Sequence, residues 1–240
     1  MKNKHIHFII FILSMAAMLS CRQEDGSPIR NVRFDPNLLS QAKDGTPCTS
    51  YNYIYQDEKS NLGNVFTKQV VVSFVEGSSF ENQKRTAEKY GFVKGIGNRT
   101  TSNSAELYTL ELSDGLNCKQ AEQAMRIIEK DPLVAYVAPY FVRDNQLLGI
   151  SNEAIITVSK GGKATLDKLV LDYKATIVSA LSDGVYIVKV DKNSNGNALA
   201  LANYLKNQDI ITNAEPDFLV SLAPMPPASS RRGSRVEFKE

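Results

Sequence analysis

The stretch from Val70 to Phe218 states one pattern twice, and an internal repeat of this length restricts a chain to folds assembled from two like units. Val70-Val71-Val72-Ser73-Phe74-Val75-Glu76-Gly77 is echoed by Ala154-Ile155-Ile156-Thr157-Val158-Ser159-Lys160-Gly161, each a β-rich run closed by glycine. Glu88-Lys89-Tyr90-Gly91 corresponds to Leu171-Asp172-Tyr173-Lys174. Leu107-Tyr108-Thr109-Leu110-Glu111-Leu112 corresponds to Val185-Tyr186-Ile187-Val188-Lys189-Val190, both alternating as half-buried strands do. Val134 to Phe141 corresponds to Ile211 to Phe218, and the order is the same in all four pairs.

Between these strands lie helical stripes. Ala121, Ala124, Met125 and Ile128 fall at i, i+3, i+4 and i+7, and Ala198, Leu201, Ala202 and Leu205 take the same spacing in the second copy. Leu166, Leu169, Val170 and Tyr173 form a further stripe, whose counterpart around Phe80, Ala87 and Tyr90 is weaker. Each copy therefore reads strand, helix, strand, strand, helix, strand. That order predicts an α+β protein of two tandem ferredoxin-like (βαββαβ) domains, each a four-stranded antiparallel sheet with two helices on one face and the other face open. The units are placed at 68–145 and 153–222, joined by a short connection from Arg143 to Asn152 with Gly149 as its hinge. A chain of about residues 150–224 is then expected to fold by itself. Residues 21–67 are turn-rich, with Asp25-Gly26-Ser27-Pro28, Asp35-Pro36 and Gly45-Thr46-Pro47, and read as a tether in which Tyr51–Tyr55 alternates well enough for one strand against the first domain. Residues 223–240, rich in Pro, Ser and Arg, read as a flexible tail.

The N-terminus carries a different signal. Lys2 and Lys4 precede an apolar run from Ile6 to Leu19, too short for comfortable passage through a bilayer of roughly 30 Å and right for a signal-peptide core. Met18-Leu19-Ser20-Cys21 resembles the bacterial lipobox, with Leu19 one position nearer the cysteine than usual, which predicts removal of residues 1–20 and lipidation of Cys21. The alternative is ordinary secretion with cleavage near Ala16 or Ala17. Glu24-Asp25 resembles the export tags of surface lipoproteins, so a lipid-anchored protein of the bacterial outer membrane or cell surface is expected.

Taking Lys2 and Lys4 off the 28 basic residues leaves 26 against 26 acidic ones, a balance that offers no basic excess for nucleic acid or anionic lipid. Membrane attachment then rests on the lipid alone. Both histidines, His5 and His7, lie in the leader, so a Ser-His-Asp or Cys-His nucleophile and an imidazole metal site have no residues to be built from after cleavage. Carboxylate pairs need no histidine, but no glycine-rich phosphate loop, Cys-x-x-Cys or larger acidic cluster is present. No catalytic residue, cofactor or metal is expected. Of the three cysteines, Cys48 and Cys118 remain; they form a bridge if their α-carbons meet, and otherwise Cys118 is a small buried residue and Cys48 a free thiol.

Asp131-Pro132-Leu133-Val134-Ala135-Tyr136-Val137, Glu215-Pro216-Asp217-Phe218 and the strand-glycine opening of each unit resemble the propeptides and peptidase inhibitors of subtilisin-like serine proteases, including fervidolysin-like prodomains. The resemblance implies a sheet that docks on two protease helices, with acidic residues at the helix N-termini and the C-terminal segment entering the active-site cleft as an added strand. Carried onto this sequence, the docking acids are Glu215 and Asp217, and the entering segment is Phe218, Leu219, Val220, Ser221 and Leu222. The matched positions of the first unit are Ala138 and Tyr140, which carry no charge. No protease domain accompanies the two units. The resemblance thus implies a protein that binds, and inhibits or assists the folding of, a subtilisin-like protease in trans; the other reading is a non-inhibitory binding or structural module of the envelope.

Overall fold

The computed structural model describes residues 47–55 and 58–222. The leader, Cys21 and its flanking residues, and the segment 223–240 fall outside them. The elements in chain order are β1 (Tyr51–Tyr55), β2 (Glu58–Gly63), β3 (Val65–Phe74), α1 (Phe80–Glu88), β4 (Val93–Thr101), β5 (Glu106–Leu112), α2 (Cys118–Glu129), β6 (Val134–Arg143), β7 (Gln146–Val158), α3 (Lys163–Asp172), β8 (Thr176–Ser182), β9 (Val185–Lys189), α4 (Ala198–Lys206) and β10 (Ile211–Leu222). The chain is α+β. From β3 onward the strands form one eight-stranded sheet, in the order β4-β5-β3-β6-β7-β9-β8 with β10 also paired to β7, and every ladder in it is antiparallel.

Among the described residues, α1, α2 and α4 start at a side-chain cap, from Ser79, Asn117 and Asn197, whereas α3 starts after Gly162 without one. Asn117 accepts from the Gln120 amide while the Gln120 side chain accepts from the Asn117 amide, a reciprocal box that satisfies two otherwise orphaned donors at the start of α2. Asn197 accepts from the Ala200 amide at the start of α4. The expected stripes are the buried ones: Ala121, Ala124 and Ile128 on α2, and Ala198, Leu201, Ala202 and Leu205 on α4, all fully enclosed. On α1 the stripe is shifted. Gln83, Thr86 and Ala87 are its buried residues, and Phe80 is 59% exposed.

Three sequence expectations need correction. First, the connection around residues 144–152 is no linker. Asp144 and Asn145 both take positive φ, 50° and 60°, which is the backbone of a two-residue hairpin turn that follows strand twist and that Asp and Asn tolerate. Arg143 thereby faces Gln146 and Tyr140 faces Gly149, so β7 begins at Gln146 rather than at residue 153. Gly149 is no hinge. It lies under the Tyr140 ring, where a Cβ would come within 2.5 Å of Cε1.

Second, residues 51–67 are not tether. β1 and β2 pair as an antiparallel hairpin, and β3 starts at Val65. The hairpin is held to the second half as well as to the first: Asn203 of α4 accepts from the Ile54 amide at 3.2 Å and donates to the Asn52 carbonyl at 2.7 Å. The Tyr53 ring meets Phe218 edge-on and the Tyr51 ring meets Phe141. Cys48 and Cys118 form a disulfide, Cα atoms 5.9 Å apart, that ties the segment before β1 to the start of α2. Thr49 reinforces the tie by donating its amide to Glu122.

Third, the face of the first sheet left open by its helices is covered. Val70–Phe74 of β3 and Leu107–Leu110 of β5 are buried at every position, the pattern of strands enclosed on both faces. The outer strand β8 behaves otherwise, with Ser179–Ser182 exposed.

Candidate functional site

The residues expected to bind a protease all lie on β10. Ile211 pairs with Val158 and the ladder continues to Leu222 opposite Gln146, broken at Ile211/Asn213 and at Pro216/Phe218. Among the described residues β7 is the only ladder partner of β10, so no described strand pairs with its other edge. Pro216, which has no amide hydrogen, and the two irregularities lie in the first half of β10, whereas Phe218–Leu222 is in regular register with β7.

The side chains on β10 are not equivalent. Glu215 and Asp217 are half-buried, and Glu215 accepts from Asn213 Nδ2 at 2.8 Å. Phe218 packs on Tyr53. Leu219, Val220 and Ser221 border a cavity of about 290 Å³ with Asn98, Thr109 and Tyr140, so the end of β10 lies over the first sheet. Val220 is 60% exposed, and Ser221 is exposed. Leu222 closes the ladder. The structure thus gathers the carried-over residues on one strand, but Phe218–Leu222 are hydrogen-bonded into the chain's own sheet.

A second polar cluster lies opposite Asp217, and sequence reasoning passed it over as linker. Pro216 faces Ala154 and Phe218 faces Ile150, so Ser151, Asn152 and Glu153 bulge out of the β7–β10 ladder. The carbonyl groups freed by the bulge need other donors. Tyr136 Oη donates to the Ser151 carbonyl at 2.6 Å. Asn152 accepts from Ser102 Oγ at 2.8 Å, and its Nδ2 donates to Ser104 Oγ at 3.0 Å. Glu153 is 1% exposed and accepts from the Asn103 amide, Asn103 Nδ2 and Ser104 Oγ at 3.2, 2.8 and 2.6 Å. The β4–β5 turn therefore clasps the bulge of β7. Burial pushes the Glu153 carboxyl up, but the hydrogen bonds from Asn103 and Ser104 outweigh it and the net shift is downward. The signal for this cluster was the Asp144-Asn145 pair between apolar stretches, which marks a hairpin and so places Ser151-Asn152-Glu153 inside a strand.

Removing the Glu153 carboxylate takes away the shared acceptor of three part-buried hydrogen bonds, so Glu153→Ala is expected to cost about 1–3 kcal/mol, read by chemical denaturation. A carboxyl with a folded pKa below its ordinary 4.5 adds stability that is complete above that pH and is lost as the pH falls through the lower folded value. Stability should therefore decline on acidification below about pH 4.5, and Glu153→Gln should flatten that decline.

The Asp131-Pro132 motif has a structural role here. Asp131, 7% exposed, accepts from Lys89 Nζ, Tyr90 Oη and the Leu133 amide at 3.1, 3.1 and 2.8 Å, fixing the turn from α2 into β6. Burial raises its carboxyl, and these three donors bring it below the ordinary range. Among the described residues no group of three or more His, Cys, Asp or Glu side chains is placed to hold a metal, and no helix is long and apolar enough to cross a membrane.

No family model matches the chain, and no curated protein matches it. Among solved structures, the acetolactate synthase small subunit from Thermotoga maritima aligns with a TM-score of 0.27 at 16% identity, over 67% of this chain and 100% of that one. At that TM-score the likeness bears on neither the fold nor the function of this protein.

Proposed function

We propose that this chain is the precursor of an exported lipoprotein, anchored through Cys21, whose folded part is no enzyme but binds another protein along β10, and that the partner is a subtilisin-like serine protease at the bacterial outer membrane or cell surface. The observation that carries the reading is the edge of β10 away from β7, which pairs with no strand among the described residues and adjoins the half-buried acids Glu215 and Asp217. An extended segment of a partner adds to such an edge through main-chain hydrogen bonds. The strand orders β4-β5-β3-β6 and β8-β9-β7-β10 support a description as two ferredoxin-like units fused through the β6–β7 hairpin.

Under this reading Glu215 and Asp217 meet helix N-termini of the protease, and replacing both by alanine should weaken binding by about 0.3–2 kcal/mol per contact. Val220→Asp, at an exposed position, should weaken it further without disturbing the fold. The test is binding and inhibition of envelope subtilisin-like proteases by the full chain and these variants. Wild-type failure to bind any of a broad panel would defeat the protease assignment. A second reading, a binding module without inhibition, is favoured by the commitment of Phe218–Leu222 to β7 and of Phe218 to Tyr53. Binding that leaves protease activity intact would select it.

A further inference from the structure

The cavity of about 290 Å³ beneath the end of β10 is close to the lower limit of small-ligand sites. Its floor is one face of the first sheet. Gln69 stands opposite Glu111, and Val71 stands opposite both Thr109 and Ala138. Side chains two positions apart on a strand share a face, so Gln69, Thr109, Glu111 and Tyr140 project together. Val137 and Pro139, on the other face, lie beside Met125 of α2. Leu147 of β7 and Leu219–Ser221 of β10 wall the cavity on one side, Asn98 and Thr100 of β4 on the other.

At the centre of the floor is a pair of hydroxyls with one hydrogen to spare. Thr109 and Tyr140 are 8% and 6% exposed, and Thr109 Oγ1 and Tyr140 Oη are hydrogen-bonded at 2.9 Å. The tyrosine reaches from β6 across β3 to β5 to make this contact. Cavity wall stands beyond β5, at Asn98, and beyond β6, at Leu147, so the cavity spans the place where the two oxygens meet. Each hydroxyl carries one hydrogen and can also accept. One hydrogen lies between the two oxygens, and the other has no acceptor among the described residues. The side-chain amides of Gln69 and Asn98 and the hydroxyl of Thr100 likewise make no hydrogen bond among the described residues. Buried polar groups are kept where something completes them.

The lining selects the ligand. Of the described residues that border the cavity only Glu111 is charged, so an anion meets repulsion without a counter-charge and a cation finds no second carboxylate. An apolar molecule would cover the hydroxyls and amides of the floor without pairing them, which costs free energy. A molecule whose hydroxyls both donate and accept pairs with that floor, and the aliphatic side chains of Leu147, Leu219 and Val220 suit a C–H face. We propose that this cavity binds one ring of a neutral sugar, free or at the end of a glycan, with its hydroxyl edge on Thr109, Tyr140 and the two amides and its C–H face against β10. The inference goes beyond the protease reading and does not depend on it, since every group it uses belongs to this chain and the sugar.

The experiment is titration of the isotope-labelled full chain, followed by amide NMR shifts, with glucose, galactose, mannose and N-acetylglucosamine. Glucuronate serves as the charged ring and cyclohexanol as the ring poor in hydroxyls. The inference expects saturable shifts with at least one neutral sugar, centred on β5 and the end of β10, weaker binding of glucuronate and none of cyclohexanol. Thr109→Val with Tyr140→Phe removes both hydroxyls together, so that neither is left stranded, and should lower the affinity about tenfold. Asn98→Ala, at an exposed position clear of the core, should also weaken binding. Glu111→Gln should bring glucuronate up towards the neutral sugars. The methyl glycoside of the sugar that binds separates the sources, retained affinity assigning a glycan end and lost affinity a free sugar. Failure of all four neutral sugars, cyclohexanol or glucuronate binding as well as they do, shifts centred away from the cavity, or an affinity unchanged in both the double variant and Asn98→Ala would overturn the inference.

Discussion

A chain of residues 150–222 is expected to show no cooperative thermal transition, whereas a chain of residues 47–222 melts in one step. The repeat alone argues for an autonomous second unit, but the contacts argue against it. Starting at Ile150 removes Gln146–Gly149, the ladder partners of Leu219–Leu222, and so unpairs the end of β10. It also removes Asn103, Ser104 and Tyr136, whose hydrogen bonds hold Glu153 and the Ser151 carbonyl in the bulge of β7. The β1–β2 hairpin goes too, exposing Phe218 and freeing Asn203. These lost ladder bonds, hydrogen bonds and apolar contacts are drawn from a net stability of only about 5–15 kcal/mol for a whole domain. Circular dichroism against temperature reads the result directly. A sharp transition for 150–222 close to that of the longer chain would show that the halves are independent.

Reducing the Cys48–Cys118 disulfide, or replacing both cysteines by serine, is expected to cost about 4 kcal/mol, because the bridge closes a loop across a sequence separation of 70. For a body of this size that corresponds to a fall in Tm of roughly 8–16 °C. The loss should begin at the β1–β2 hairpin, since the segment just before it is otherwise tied to α2 by Thr49 with Glu122 and Lys119. The hairpin in turn covers Phe141 and Phe218. Thermal melts with and without reductant check this. A shift of only a degree or two would mean that the denatured chain is already compact around this loop.

Elements carried by short-range pattern were legible in the sequence. The stripe Ala121, Ala124, Ile128 and its twin Ala198, Leu201, Ala202, Leu205 became the buried faces of α2 and α4, and the alternation in Leu107–Leu112 and Val185–Val190 became β5 and the strand region of β9. What escaped depends on partners far along the chain. Nothing local to Ser102-Asn103-Ser104 or to Ser151-Asn152-Glu153 says that they meet, and a buried glutamate looks in sequence like any solvated one. The β1–β2 hairpin escaped because its anchor, Asn203, lies about 150 residues away. The candidate site was legible as a strand, yet its commitment to β7 was not, because only the early start of β7 at Gln146 gives Leu219–Leu222 a partner.

The claim that β10 is the docking edge is tested most directly by hydrogen–deuterium exchange of the full chain, alone and with an active-site-blocked subtilisin-like protease from the same envelope. The account predicts new protection confined to Asp217–Leu222 and the adjoining cavity, with the outer strands β4 and β8 unchanged. Protection that falls on β4 or β8 while β10 exchanges as before, or no bound protease at all, would contradict it.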